Sequence, residues 1–230
     1  VGNMKITMRE SKVDEDGKDQ DGAEKTVDTN TYKLVPAVTY IKDPSLYIES
    51  GSEDSYIFIK IRNQISHLEK GNYVHSDGQI ISDPEKPTIA QQLSSHGWKY
   101  FGENATGEIY FYAGNDENQI HYDMNSAEYA KLDSKDGTQW IQPTVIGTKS
   151  ETQTIDLFDE FTIDDHAVID ASMGAAKITV MAYAIQSSAF AKEATDGLTA
   201  DETLKIWKEI TEEVSFESTP DVNTPYIAAP

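Results

Sequence analysis

The chain of 230 residues contains no cysteine. That excludes disulfides and thiolate metal ligands, so no cysteine cross-link supports the fold. Basic residues are also few: 19 Lys and Arg against 40 Asp and Glu leave a formal charge of −21. Nucleic-acid binding needs a basic footprint, so no nucleic-acid partner is expected. The same charge opposes docking on an anionic membrane, favours solubility, and repels like subunits unless salt or cations screen it. No apolar run reaches bilayer-spanning length, so no membrane insertion is expected, and no signal-peptide pattern is present, so if the protein is exported this is its mature form. A chain of this size buries roughly 70–75% of its unfolded surface, enough for a full core.

Catalytic signatures are missing as well. GxSxG, SxxK, GxGxxG, GxxxxGK and HExxH do not occur. The five histidines, His67, His75, His96, His121 and His166, include no two within one helical turn, the spacing a zincin helix needs. His121-Tyr122-Asp123 and Asp164-Asp165-His166 offer metal-ligand atoms, but in so acidic a chain such neighbours arise by chance. With forty acids, paired carboxylates for glycoside hydrolysis are equally unselective. Ser/His/Asp triads meet only in space, so sequence leaves them open. The alternating acids and glycines of Asp14–Gly22 suggest a calcium loop. Placing Gly22 or Gly17 at loop position six puts Gly17 or Lys12 at position one, which an EF-hand does not accept. This stretch reads as a solvated acidic hairpin tip. No catalytic residue, cofactor or metal ligand is assigned, and an enzyme is not expected.

What the sequence does have is β signal, strongest between Thr29 and Ile65. Leu46 and Ile48, then Ile57, Ile59 and Ile61, alternate with Tyr47, Glu49, Lys60 and Arg62, the period of strands with one buried face. The turn-rich Ser50–Asp54 between Ser45–Ile48 and Tyr56–Arg62 predicts a hairpin, entered after Pro44. Met4, Ile6 and Met8 alternate against Lys5, Thr7 and Arg9 in a short amphipathic strand at the start. A long connection from Gln64 to Gln92 holds a short helical turn near Ile89–Leu93. His96–Gly114 predicts an aromatic hairpin with its turn at Glu103–Gly107, including Asn104-Ala105-Thr106; aromatic stripes on strands are chiefly packing.

Further on, Ser126–Leu132 suits a short helix, Asp136-Gly137 a turn and Thr144–Ile146 a strand. Leu157, Phe158, Phe161 and Ile163 are core candidates. The apolar run Ala176–Gln186 predicts a strand buried on both faces. Thr199 with Glu202 makes a capping box for a helix that docks Ile206, Trp207, Ile210 and Val214. Residues 215–230 form a proline-dotted tail without periodicity, leaving 1–214 as one domain.

Four blocks, Gly2–Thr7, Lys33–Ile61, Gly97–Gly114 and Thr154–Trp207, carry a resemblance. Lys33, Leu34, Pro36, Tyr40, Lys42, Asp43, Pro44, Gly51, Ser52, Glu53 and Tyr56 form a pattern that resembles the TasA/camelysin family of exported matrix-fibre proteins from Gram-positive bacteria. Where that pattern has glycine after Pro36, this chain has Ala37. The LFDEFTI passage at Leu157–Ile163 and the ITVMAYAIQ strand at Ile178–Gln186 add to the likeness. The resemblance implies a jelly-roll-like antiparallel β-sandwich with a few peripheral helices, secreted to the extracellular matrix or cell surface. It also implies a biofilm fibre subunit that assembles with itself, and with other matrix or cell-wall components, through a donated N-terminal strand. Val1, Gly2, Asn3, Met4, Ile6 and Met8 are the donor-strand residues it points to. The family has a few residues before its Gly-Asn pair, where this chain has Val1 alone, so a trimmed donor is expected. A monomeric adhesion module remains an alternative, as does a camelysin-like metallopeptidase, for which no HExxH is present.

Overall fold

The computed structural model describes residues 5–22, 24–27, 30–114, 124, 151–170, 173, 177–190, 198, 200–213 and 226–227. Its strands are β1 (Ile6–Ser11), β2 (Lys25–Val27), β3 (Thr39–Ile41), β4 (Ser45–Ile48), β5 (Ser55–Asn63), β6 (Trp98–Asn104), β7 (Gly107–Tyr112), β8 (Gln153–Asp156), β9 (Glu160–Thr162), β10 (Ile178–Gln186) and β11 (Tyr226–Ile227). Its α-helices are α1 (Ile89–Ser95) and α2 (Ala200–Glu213). The molecule is mainly β, an antiparallel sandwich with few helices, the class of fold that the strand periodicity predicts and for which the resemblance implies a jelly-roll-like form. One sheet runs β2-β1-β4-β8, a second β11-β10-β5-β7-β6, and β3 and β9 form a two-stranded sheet among the described residues.

The centre is the pair β5–β10, antiparallel from Asn63↔Ile178 to Ser55↔Gln186. Both strands carry apolar residues on both faces, so both faces must be covered. Ile57, Ile59, Ile61, Val180, Ala182 and Ala184 face the other sheet and pack with its Ile6, Met8, Leu46, Ile48 and Ile155. Tyr56, Phe58, Met181 and Tyr183 face outward, where Ile206 and Ile210 of α2 cover them. Burial of each such aliphatic side chain contributes about 1.5–3 kcal/mol. Trp207 of α2 meets Phe101 edge-on at 5.5 Å. The helix therefore makes a third layer. Among the described residues no helix is long and apolar enough to cross a membrane.

The predicted hairpin of Ser45–Ile48 and Tyr56–Arg62 is not formed. Both strands exist, but β4 pairs with β1 and β8, while β5 pairs with β10 and β7. The chain crosses between sheets at Glu49–Asp54, turning at Gly51 (φ +79°) with the Ser52 hydroxyl donating to the Glu49 carbonyl. Alternation specifies which face of a strand is buried. It does not say whether the next strand lies beside it or across the core from it. Lys60 departs from the expectation too: it stands on the face away from Ile59 and is nonetheless buried.

The aromatic hairpin forms as β6 and β7, and Asn104 Oδ1 accepts from the Thr106 amide at 3.0 Å and hydroxyl at 2.8 Å inside its turn. Helix α1 starts at a capping box in which Thr88 and Gln91 exchange bonds. Leu157, Phe158, Phe161 and Ile163 are all buried. In the 215–230 segment, Tyr226 and Ile227 form β11 and pair parallel with Tyr183 and Ala184. The readings of Ser126–Leu132, Asp136-Gly137, Thr144–Ile146, the Thr199 cap and Val214 lie outside the described residues.

Candidate functional site

Three places gather the residues from which a function can be argued. The first is β1. Ile6, Thr7, Met8 and Arg9 pair with Ile48, Tyr47, Leu46 and Ser45 of β4. On its other side β1 meets β2 only at Glu10 and Ser11, so over Ile6–Met8 no described strand flanks it there. Ile6 and Met8, the two sequence-assigned donor residues that are described, are buried in the chain's own core. Val1, Gly2, Asn3 and Met4 lie outside the described residues. The strand is anchored further on: Glu10 Oε2 takes a 2.8 Å bond from Lys42 Nζ, and Asp43 accepts from the Ser11 amide at 2.8 Å and hydroxyl at 2.7 Å. Lys42 and Asp43 thus hold the strand in place, a use of that motif which only the fold shows.

The second place is a cleft of about 480 Å³ between the end of β5, α1 and the β6–β7 turn, with Glu69, Asn63, Asn72 and Tyr110 in its wall. Burial pushes the Glu69 carboxyl up to about 7. A carboxyl near neutrality suits acid–base work. Its oxygens are engaged, however: Oε1 accepts from the Ile89 amide at 3.0 Å, and Oε2 from Asn63 at 3.1 Å and Asn72 at 3.3 Å. Glu69 is a clamp on the start of α1. Sequence reasoning missed it because nothing local marks a Glu in a loop as buried.

The third place joins two distant turns. Residues 68–70 and 162–164 run antiparallel, bridged at Glu69↔Ile163, with Lys70 N donating to Thr162 O and Asp164 N to Leu68 O. That pairing delivers Asp164, wholly buried, to the end of β9, where its Oδ1 accepts from the His166 amide at 2.9 Å. His75 sits in a turn closed by bonds from its own amide to Gln79 O and from Gly78 N to its carbonyl, both 2.8 Å. From there His75 Nε2 lies 3.2 Å from Asp164 Oδ2 across 89 positions of sequence. His166 Nδ1 is 3.3 Å from Asp165 Oδ2 and 3.8 Å from Asp164 Oδ1. The two imidazole centroids are 4.5 Å apart. Lys70 Nζ bonds Asp165 Oδ1 at 2.9 Å and lies 3.7 Å from Asp164 Oδ2. That hydrogen bond holds the Asp165 carboxyl down at about 2.

Asp164-Asp165-His166 was visible in sequence as a weak ligand run. The fourth member, His75, comes from another part of the chain and has no local signature. The other sequence pair, His121 and Asp123, lies outside the described residues. His96 is held by Asp159 at 3.1 Å, apart from this group. Compared with protein-family models, curated proteins and solved structures, the chain matches none of them.

Proposed function

We propose that this chain is a structural subunit of extracellular matrix fibres, assembling head to tail by donation of its N-terminal strand. The observation that carries the reading is the place of β1: the first described strand, apolar on one face, seated beside β4 and flanked along Ile6–Met8 by no other described strand. A terminal strand in that position can leave its slot and fill the same slot in the next molecule. The side-chain contacts of Ile6 and Met8 are then the same in monomer and fibre, which makes exchange a low-cost route to assembly. Because donor and acceptor are different surfaces, the contact is heterologous, and it extends into filaments when the rotation between successive subunits does not close a ring. The resemblance in the Lys33–Tyr56 segment supports the same reading, and the charge of −21, which repels like subunits, makes assembly depend on salt or cations that screen it.

A reversible lock tests it. Thr7 and Tyr47 are directly opposed across β1 and β4, and cross-strand Cα separations of about 4.5–5.5 Å suit a disulfide. In a protein with no cysteine of its own, Thr7→Cys/Tyr47→Cys gives one defined bridge. Filaments in electron micrographs of the reduced protein and none after oxidation are expected. Filaments that ignore the lock would sink the exchange of β1. No filaments from the unmodified chain at any salt or concentration would make a monomeric surface module the better description.

A further inference from the structure

We propose that His75, Asp164, Asp165 and His166 form a structural binding site for one divalent transition-metal cation, with zinc the ion the donor set fits best. Two imidazole nitrogens and two carboxylate oxygens suit zinc and its neighbours, whereas calcium and magnesium take shells built of oxygen. The four ligand atoms already lie within 4.8 Å of one another. Tetrahedral zinc with bonds of about 2.0–2.1 Å places its ligands about 3.3 Å apart. The separations His75 Nε2–Asp164 Oδ2, 3.2 Å, and His166 Nδ1–Asp165 Oδ2, 3.3 Å, match two edges of that tetrahedron.

The site divides into a fixed and an adjustable half. Asp164 and His75 have side chains 0% and 9% exposed, and both stand on hydrogen-bonded turns. His166 and Asp165, at 64% and 49%, can rotate inward to close the remaining distance. Four protein donors fill the tetrahedron and leave no position for water, so the site is structural and not hydrolytic. A bound ion ties the His75–Gln79 turn to the end of β9. Without one, the Lys70 ammonium stands against both carboxylates and competes with any entering cation.

That competition gives a test that an ordinary ion-pair cluster would not pass. Zinc is titrated calorimetrically into the full chain in excess calcium, which occupies unspecific carboxylates, and thermal unfolding is followed in parallel. One zinc per chain is expected, with a rise in the unfolding midpoint. His166→Ala, at an exposed position that tolerates change, and His75→Ala should each weaken binding by at least the roughly tenfold that losing even a partner of a ligand costs. Lys70→Met should tighten it several-fold. Zinc binding that is absent in excess calcium, or that survives both histidine changes unaltered, overturns the site.

Discussion

Lys42 Nζ lies 2.8 Å from Glu10 Oε2 in the interior, with the two side chains 5% and 0% exposed. The pair fastens β1 to the segment leading into β4. Glu10 Oε1 has no hydrogen-bond partner among the described residues, so Lys42 is the charge on which Glu10 depends. Lys42→Met would leave a buried carboxylate uncompensated and cost about 3–5 kcal/mol, while Glu10→Leu/Lys42→Met should recover most of it. Urea denaturation of the single and double variants measures both. A single variant within 1 kcal/mol of the parent would mean the pair does not anchor the strand. The proposed donation of β1 must break this pair, so Glu10→Leu/Lys42→Met should also assemble more readily.

Glu69 supplies a pH dependence of defined sign. Its carboxyl stands at about 7 in the folded protein against 4.5 as a free side chain, because burial disfavours the charge. Between those values the folded state holds more protons than the unfolded one. Its contribution to stability is therefore full below about 4.5 and falls as pH rises to about 7, by up to about 3 kcal/mol. Self-repulsion of the acidic chain also grows over this range, so the quantity to read is the difference between the parent and Glu69→Gln. The parent's stability should drop more steeply than the variant's between pH 4.5 and 7. Parallel curves would show that the carboxylate is accommodated at no cost.

Ala37 holds φ +65°, the only non-glycine residue in the left-handed region among those described. Its side chain is exposed and its amide donates to Ile163 O at 3.1 Å. An L side chain is strained there, and glycine relieves the strain while adding some freedom to the unfolded chain. Ala37→Gly should stabilise by about 0.5–1 kcal/mol, read as a higher urea midpoint with an unchanged slope.

Gly17 shows the opposite. It has φ +74°, and a Cβ there would stand 2.7 Å from Tyr40 Cα. The acidic tip is solvated along Lys18–Gly22 and anchored at Gly17, whose O accepts from Ile41 N at 3.1 Å, while within the tip Asp14 Oδ1 accepts from the Asp16 and Lys18 amides at 3.0 and 2.9 Å. Gly17→Ala should cost about 2–4 kcal/mol, from backbone strain plus overpacking against Tyr40. Gly22→Ala is the control: its φ is similar but nothing lies within 4 Å, so its loss should be the smaller one. Equal losses would show that strain alone acts.

The sequence by itself determined the class of fold, most of the strands and helices, and the core. The reason is that periodicity is local: Ile57, Ile59 and Ile61, the β10 run, and the Ile206–Ile210 stripe on α2 each declare a face without reference to the rest of the chain. The tertiary structure alone decided which faces meet. It placed β4 and β5 in opposite sheets where the turn between them suggested a hairpin. It covered the second face of β5 with a helix more than a hundred residues away and buried Lys60 there. It also brought His75 to Asp164 and Glu69 to the start of α1. Side chains that act in clusters are chosen by contacts between distant segments, and no local period records those contacts.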